Sequence, residues 1–179
     1  MGQKPKFVES AQFFALPRDE RLRDFGTAWL MMRRDRRMPR RRDLDPITFA
    51  RVLPYVLLSR LECGLPVYEL AGEAVNAFYD RRSIVGLSPM HLVNPGAVED
   101  IRRLLSIVRR YQAARYSRSF YLRDDGDPVW AERLLFPLSD DDESVAHTIS
   151  IVIGEAVPKG RPETECDENG KSPRYWITV

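Results

Sequence analysis

RYSRSFYLRDDGDPVWAERLLFPLSDDDESVAHTISIVIGE, residues 115–155, decides how this chain folds. Three apolar, β-branched or aromatic runs lie between two acidic, glycine- or serine-marked breaks. The first break, Asp124-Asp-Gly-Asp-Pro128, contains an Asp-Gly pair, a strong hairpin signal. The spacing predicts three consecutive antiparallel strands, at 115–123, 129–139 and 144–155. In the middle run, Leu134, Leu135 and Phe136 are consecutive, so apolar groups point to both faces of the sheet. Both faces therefore need a cover.

Working back along the chain, YVLLSRLE (55–62) and VYELAG (67–72) read as two more strands joined through Cys63-Gly64-Leu65-Pro66. Short helical pieces follow at 73–80 and in SPMHLV. A clear helix spans 96–112, with Val98, Ile101, Leu104, Leu105 and Val108 as its apolar stripe. Residues 19–36 form another helix, capped by Asp19, with Leu22, Phe25, Trp29 and Met32 on one face. This helix is the obvious cover for the outer sheet face, over its own sheet or a partner's. Asp45-Pro46 starts a further short helix that ends before Pro54, with Ile47, Val52 and Leu53 as its buried residues. Five antiparallel strands with helices inserted after the second make an α+β layout, not a doubly wound one.

The order divides the chain into an N-terminal arm (1–18), a helical extension (19–54), a main domain (55–156) and a polar tail (157–179). Tyr175, Trp176 and Ile177 are unexpectedly apolar for a tail; they suit either docking back or an exposed recognition stub.

The formal net charge is only +2, but it is unevenly spread. Residues 33–42 carry Arg33, Arg34, Arg36, Arg37, Arg40, Arg41 and Arg42 against Asp35. Residues 123–143 carry eight carboxylates against Arg123 and Arg133. Such a dipolar surface favours docking over wholesale wrapping by nucleic acid. The seven arginines are candidate anion-binding residues, for nucleic acid or an anionic membrane surface, without an aromatic-interleaved motif beside them. The acidic turns at 124–127 and 140–143 are alternative partners for them, within the fold or across a dimer.

Cys63 and Cys166 form no CxxC, which argues against a disulfide framework or zinc site. Asp124, Asp125 and Asp127 lack the twelve-residue spread of an EF-hand. No phosphate-binding loop, dinucleotide fingerprint or nucleophilic triad is present. The expectation is a protein without catalysis or metal, and with no cofactor named by its residues. No signal-like or membrane-length apolar run appears, which suggests a cytoplasmic protein.

The succession of Phe25 and Trp29, Met38-Pro39-Arg40, Asp43-Leu-Asp-Pro46, Val52-Leu53-Pro54-Tyr55, Leu70-Ala71-Gly72, Gly86-Leu87 and Asp125-Gly126 resembles the PAS superfamily. More closely, it resembles a bacterial PAS-like family seen mostly in alphaproteobacteria. The likeness covers roughly residues 19–155. It departs at Glu73, where the family often has Thr or Ser.

The resemblance implies a sensory or regulatory module that binds a small ligand or a protein partner and relays a signal by dimerisation or docking. PAS domains bind haem, flavins, organic acids or nothing, between the helices and the inner sheet face. The cavity candidates are Tyr68, Leu70, Phe78, Tyr79, Phe120, Trp130, Phe136 and His147. His91 lies where some haem-binding members carry a ligand, without a supporting motif. The stretch Asn76-Ala-Phe-Tyr-Asp80 lacks the cysteine of light-sensing flavin members. PAS domains commonly dimerise through N-terminal helices, so Leu22, Phe25, Trp29 and Met32 are the candidate homodimer interface.

Overall fold

The computed structural model describes residues 5–122, 128–156 and 174–178. Its elements run α1 (Ser10–Ala15), α2 (Glu20–Arg33), β1 (Val56–Glu62), β2 (Leu65–Ala71), α3 (Glu73–Phe78), α4 (Pro95–Tyr111), β3 (Ala113–Leu122), β4 (Pro128–Leu138), β5 (His147–Ala156) and β6 (Arg174–Thr178). The strands make one sheet in the order β2-β1-β5-β4-β3-β6, antiparallel throughout. The class is α+β, as the strand pattern predicts, with six strands rather than five.

The sixth strand settles the choice left open for the tail. Trp176 and Ile177 are buried against the main core, and Arg174–Thr178 pairs with β3. The N-terminal arm closes the same edge: Val8 N–H donates to Trp176 O, and Trp176 N–H donates to Lys6 O, both at 2.9 Å.

The two sheet faces differ sharply. Val56 and Leu58 of β1, Ile149, Ile151 and Ile153 of β5, and Leu134 and Phe136 of β4 point outward into the main core. The cover is α2, laid over the chain's own sheet. Leu22, Phe25 and Trp29 are fully buried there, and Met32 packs at the margin. Trp29 stacks on Phe136 with ring centroids 4.7 Å apart and planes 17° from parallel. Its indole N–H donates to Pro137 O at 3.3 Å. Phe13, Phe14 and Phe25 complete the ring cluster around Phe136.

The candidate homodimer interface is thereby corrected. An amphipathic helix buries its apolar stripe on the nearest large apolar surface. Here that surface is the outer face of its own sheet, so these four residues form an intramolecular core.

The start of α2 is fastened from below. Asp19 caps the helix by accepting from Arg21 N–H. The buried Glu132 carboxylate of β4 accepts Arg18 N–H at 2.8 Å, Asp19 N–H at 3.2 Å and the Tyr116 hydroxyl at 2.7 Å.

Residues 46–52 are successive turns rather than a short helix. Their bonds, such as Thr48 N–H to Asp45 O and Phe49 N–H to Pro46 O, span three residues. Ile47 is exposed and Phe49 takes the buried place expected of it; Val52 is buried and Leu53 partly so. Gly72 explains one quoted motif. A Cβ on it would lie 2.2 Å from the carbonyl oxygens of both Leu53 and Pro54. The Leu-Ala-Gly and Leu-Pro segments therefore touch, backbone to backbone.

Candidate functional site

A cavity of about 470 Å³ lies between the inner sheet face and the helices α3 and α4. Its roof is apolar: Val75, Ala77 and Phe78 from α3, and Ile101, Leu104 and Leu105 from α4. Tyr79 closes α3 over it. Its floor is mixed. β1 supplies Leu57 and Ser59, β2 supplies Pro66 and Tyr68, β4 supplies Arg133 and Leu135, and β5 supplies Thr148, Ser150 and Val152.

The polar floor follows from strand alternation. On β5, Ile149, Ile151 and Ile153 fill the outer core, so the intervening Thr148, Ser150 and Val152 must face the cavity. Register sets the neighbours: Ser59 opposes Thr148, Leu57 opposes Ser150, and Arg133 opposes Val152. The Ser59 and Thr148 hydroxyls share a hydrogen bond of 2.8 Å. Burial pushes the Tyr68 phenol well above its ordinary pKa; Tyr79 adds to the rise, and Arg133 pulls against it. Tyr68 is therefore a neutral O–H donor at physiological pH.

Of the eight cavity candidates, the structure places Tyr68, Phe78 and Tyr79 in the lining. Four others lie elsewhere. Phe136 and Trp130 sit at even positions of β4, whose odd positions Arg133 and Leu135 face the cavity. Phe136 belongs to the outer ring cluster, and Trp130 lies under the Arg118 guanidinium, 4.7 Å from its ring centroid. Leu70 leaves the cavity face because the β1–β2 register shifts between Leu58 and Ser59. A bulge of this kind reverses the faces beyond it, and Leu70 is exposed.

His147 is on the outer face too. Its Nε2 lies 3.1 Å from Asp140 Oδ2 and its Nδ1 3.5 Å from Glu69 Oε2. The side chain of Phe120 lies outside the described residues. Arg133, Ser59, Thr148 and Ser150 are lining residues that the sequence reading did not single out; the Thr-Ile-Ser-Ile alternation of β5 was the available signal.

The arginine-rich segment is docked onto the fold. Arg40 pairs bidentately with Asp142, its Nε at 2.7 Å. Arg36 pairs with Asp43, and Arg41 Nε lies 3.5 Å from Glu69. Arg37 donates to Gln112 Oε1 at 3.0 Å. The Arg40 guanidinium holds the Asp142 carboxyl below its ordinary pKa. The expected pairing with the acidic turn at 140–143 is thus made within the fold. The turn at 124–127 lies outside the described residues. Arg34, Arg37 and Arg42 remain exposed.

His91, also exposed, accepts Ser88 N–H at Nδ1, 3.2 Å away, and so caps a local turn. Among the described residues, no group of three His, Cys, Asp or Glu is placed to hold a metal ion. None of the described helices is long and apolar enough to cross a membrane.

A family model for the PAS domain matches residues 18–153. The chain belongs to the PAS domain family. That match takes in α2 as well as β1 to β4 and most of β5, in keeping with their shared core. PAS domains are signal-sensing modules, and the antiparallel sheet with helices on its inner face is their architecture.

Solved structures to which the chain is similar include VqmA bound to DPO, at 11% identity, covering 57% of this chain and 53% of that one, with a TM-score of 0.46. The LOV domain of a blue-light activated histidine kinase from Erythrobacter litoralis is 23% identical, covers 57% of this chain and 95% of that one, and has a TM-score of 0.41. The LOV protein of Rhodobacter sphaeroides is 16% identical, covers 60% and 63%, and has a TM-score of 0.40. This PAS chain spans about half the length of the VqmA chain. No curated protein matches it.

Proposed function

We propose that this PAS chain is a non-catalytic sensor that takes a small molecule into the cavity beneath α3 and α4. Occupancy is then relayed through a protein partner or a second copy, in the cytoplasm. The observation that carries this reading is the floor of the cavity. A packed core at that place would use apolar side chains, because buried hydroxyls and guanidinium groups lose hydration without gaining packing. Ser59, Thr148, Ser150, Tyr68 and Arg133 instead face a volume of about 470 Å³ under an apolar roof. An apolar pocket with a few convergent polar groups is how small-molecule sites are built.

Docking of Arg36, Arg40 and Arg41 onto Asp43, Asp142 and Glu69 supports placing nucleic-acid or membrane binding second. Native mass spectrometry of the full chain purified from cells tests the reading, beside Val152→Trp, which fills the cavity from β5. The expected result is a small-molecule adduct on the wild type, lost in the variant. A bare wild-type mass, with no thermal shift in a broad small-molecule screen, would overturn it.

A further inference from the structure

We infer that the carboxyl end of α4, with the N-terminal arm beside it, is a landing surface for single-stranded nucleic acid.

The surface joins three separate parts of the chain. Arg109 and Arg110, in the last turn of α4, are exposed, and so is Arg37 of the arginine-rich segment. Gln112 ties that segment to the helix end: its Oε1 accepts Arg37 Nη1–H at 3.0 Å, and its Nε2–H donates to Glu143 O. At the same helix end, Tyr111 meets Phe7 of the N-terminal arm edge-on, with ring centroids 5.5 Å apart and planes 66° from parallel. The Arg110 guanidinium lies over the Tyr111 ring, 5.4 Å from its centroid. The backbone of Phe7 is held by its bridge to Trp176. Both rings are nevertheless 40% exposed.

The sequence places no aromatic residue among the arginines at 33–42, and the fold brings two into the neighbourhood of Arg37. Arg37, Arg109 and Arg110 make no ion pair with a carboxylate among the described residues. Arg36, Arg40 and Arg41 do, and take no part. Glu143 and Asp35 are exposed close by in the chain or in space, and bind none of the three. Two arginines at the carbonyl end of a helix suit its dipole. That role explains neither the third arginine, from another segment, nor two rings left facing water.

The occupant follows from the pairing of charge and ring. Phosphates take guanidinium groups, and the face of an unpaired base stacks on an exposed ring. A duplex keeps its bases inside its own stack and leaves the rings unused, as an acidic peptide would. A membrane surface calls for a broad apolar face beside its cations, and two part-exposed rings are a small one.

Fluorescence anisotropy of the full chain with a labelled oligothymidylate of about ten nucleotides tests this. Binding at low salt is expected, with the logarithm of affinity falling against that of salt at a slope of about −2 for three arginine contacts. Arg37→Gln, Arg109→Gln or Arg110→Gln should each reduce the slope by about 0.7. Phe7→Leu and Tyr111→Leu keep apolar bulk and lose the ring, so each should weaken binding about tenfold with the slope unchanged. The same strand annealed to its complement should bind more weakly.

If a ring variant does not fold, the arginine variants and the duplex comparison still decide. No binding at low salt, an affinity indifferent to both rings, a slope indifferent to all three arginines, or equal binding of the duplex overturns the inference. Binding to phosphatidylserine vesicles without binding to the strand overturns it too, and gives the surface to a membrane.

Discussion

Replacing Trp29 with alanine asks directly whether α2 belongs to its own sheet. The side chain is fully buried, stacked on Phe136 at 4.7 Å and bonded to Pro137 O at 3.3 Å. Burying an indole removes about 200 Å² from water, so transfer alone gives an upper figure of about 5 kcal/mol. Partial collapse of the hole lowers the loss, and the stranded Pro137 carbonyl raises it. Measured Trp-to-Ala losses in cores run about 3–5 kcal/mol, which sets the expectation at about 4 kcal/mol. For a chain of 179 residues that is a fall in Tm of roughly 8–16 °C.

Trp29→Phe keeps a ring on Phe136 and loses the indole N–H, so about 1–2 kcal/mol is expected. Urea unfolding at two protein concentrations a hundredfold apart measures both variants. A loss below about 1 kcal/mol for Trp29→Ala, or a loss that changes with concentration, would refute the intramolecular packing. The second outcome would return the helix to a subunit interface.

Gly72→Ala should cost about 3 kcal/mol, because its Cβ must displace the Leu53 and Pro54 carbonyls, each 2.2 Å away; a calorimetric Tm within a degree or so of wild type would contradict that approach. Cys63→Asn should stabilise by about 0.5 kcal/mol, read as a higher urea midpoint, because Cys63 (φ 49°) and Gly64 (φ 79°) form a two-residue turn that suits Asn-Gly.

Asp141 accepts the backbone N–H groups of Ser144 and Glu143 and the Ser139 hydroxyl, which hold its carboxyl well below the ordinary 3.8. A depressed folded-state pKa gives stability that is present above about pH 4 and lost as pH falls further. The gap in urea midpoint between wild type and Asp141→Asn should accordingly be widest near neutral pH and close in acid; a gap that ignores pH would refute the assignment.

Much of the fold is visible in residue order. The Leu134-Leu135-Phe136 run announces a sheet covered on both sides, and α2 and the helical middle take those two sides. Cys63-Gly64 turns the first hairpin, and Asp19 caps α2 as its position suggests. The site was less legible, for a specific reason. The alternation of β5 correctly groups His147 with Ile149, Ile151 and Ile153, but that apolar set faces the outer core. Alternation separates two faces without saying which one borders a cavity.

Leu70 failed differently, through a bulge that no local signal marks. β6 was obscured because a five-residue strand is held by its partner, and pairing with β3 outweighs the polar stretch before it.

The unequal faces of this sheet have a consequence for how the domain changes over time. Most of what resists unfolding is concentrated on the α2 side, in the rings around Phe136 and the isoleucines of β5. The cavity side contributes a smaller buried cluster, Tyr68, Val75 and Ile84, above a floor that includes small hydroxyl residues. Substitutions at Ser59, Thr148 or Ser150 therefore draw on a small part of the folding free energy, whereas those at Trp29 or Phe136 draw on a large part. Specificity can drift on one face while the other stays fixed, so relatives of this chain should share the outer core and differ in what they sense.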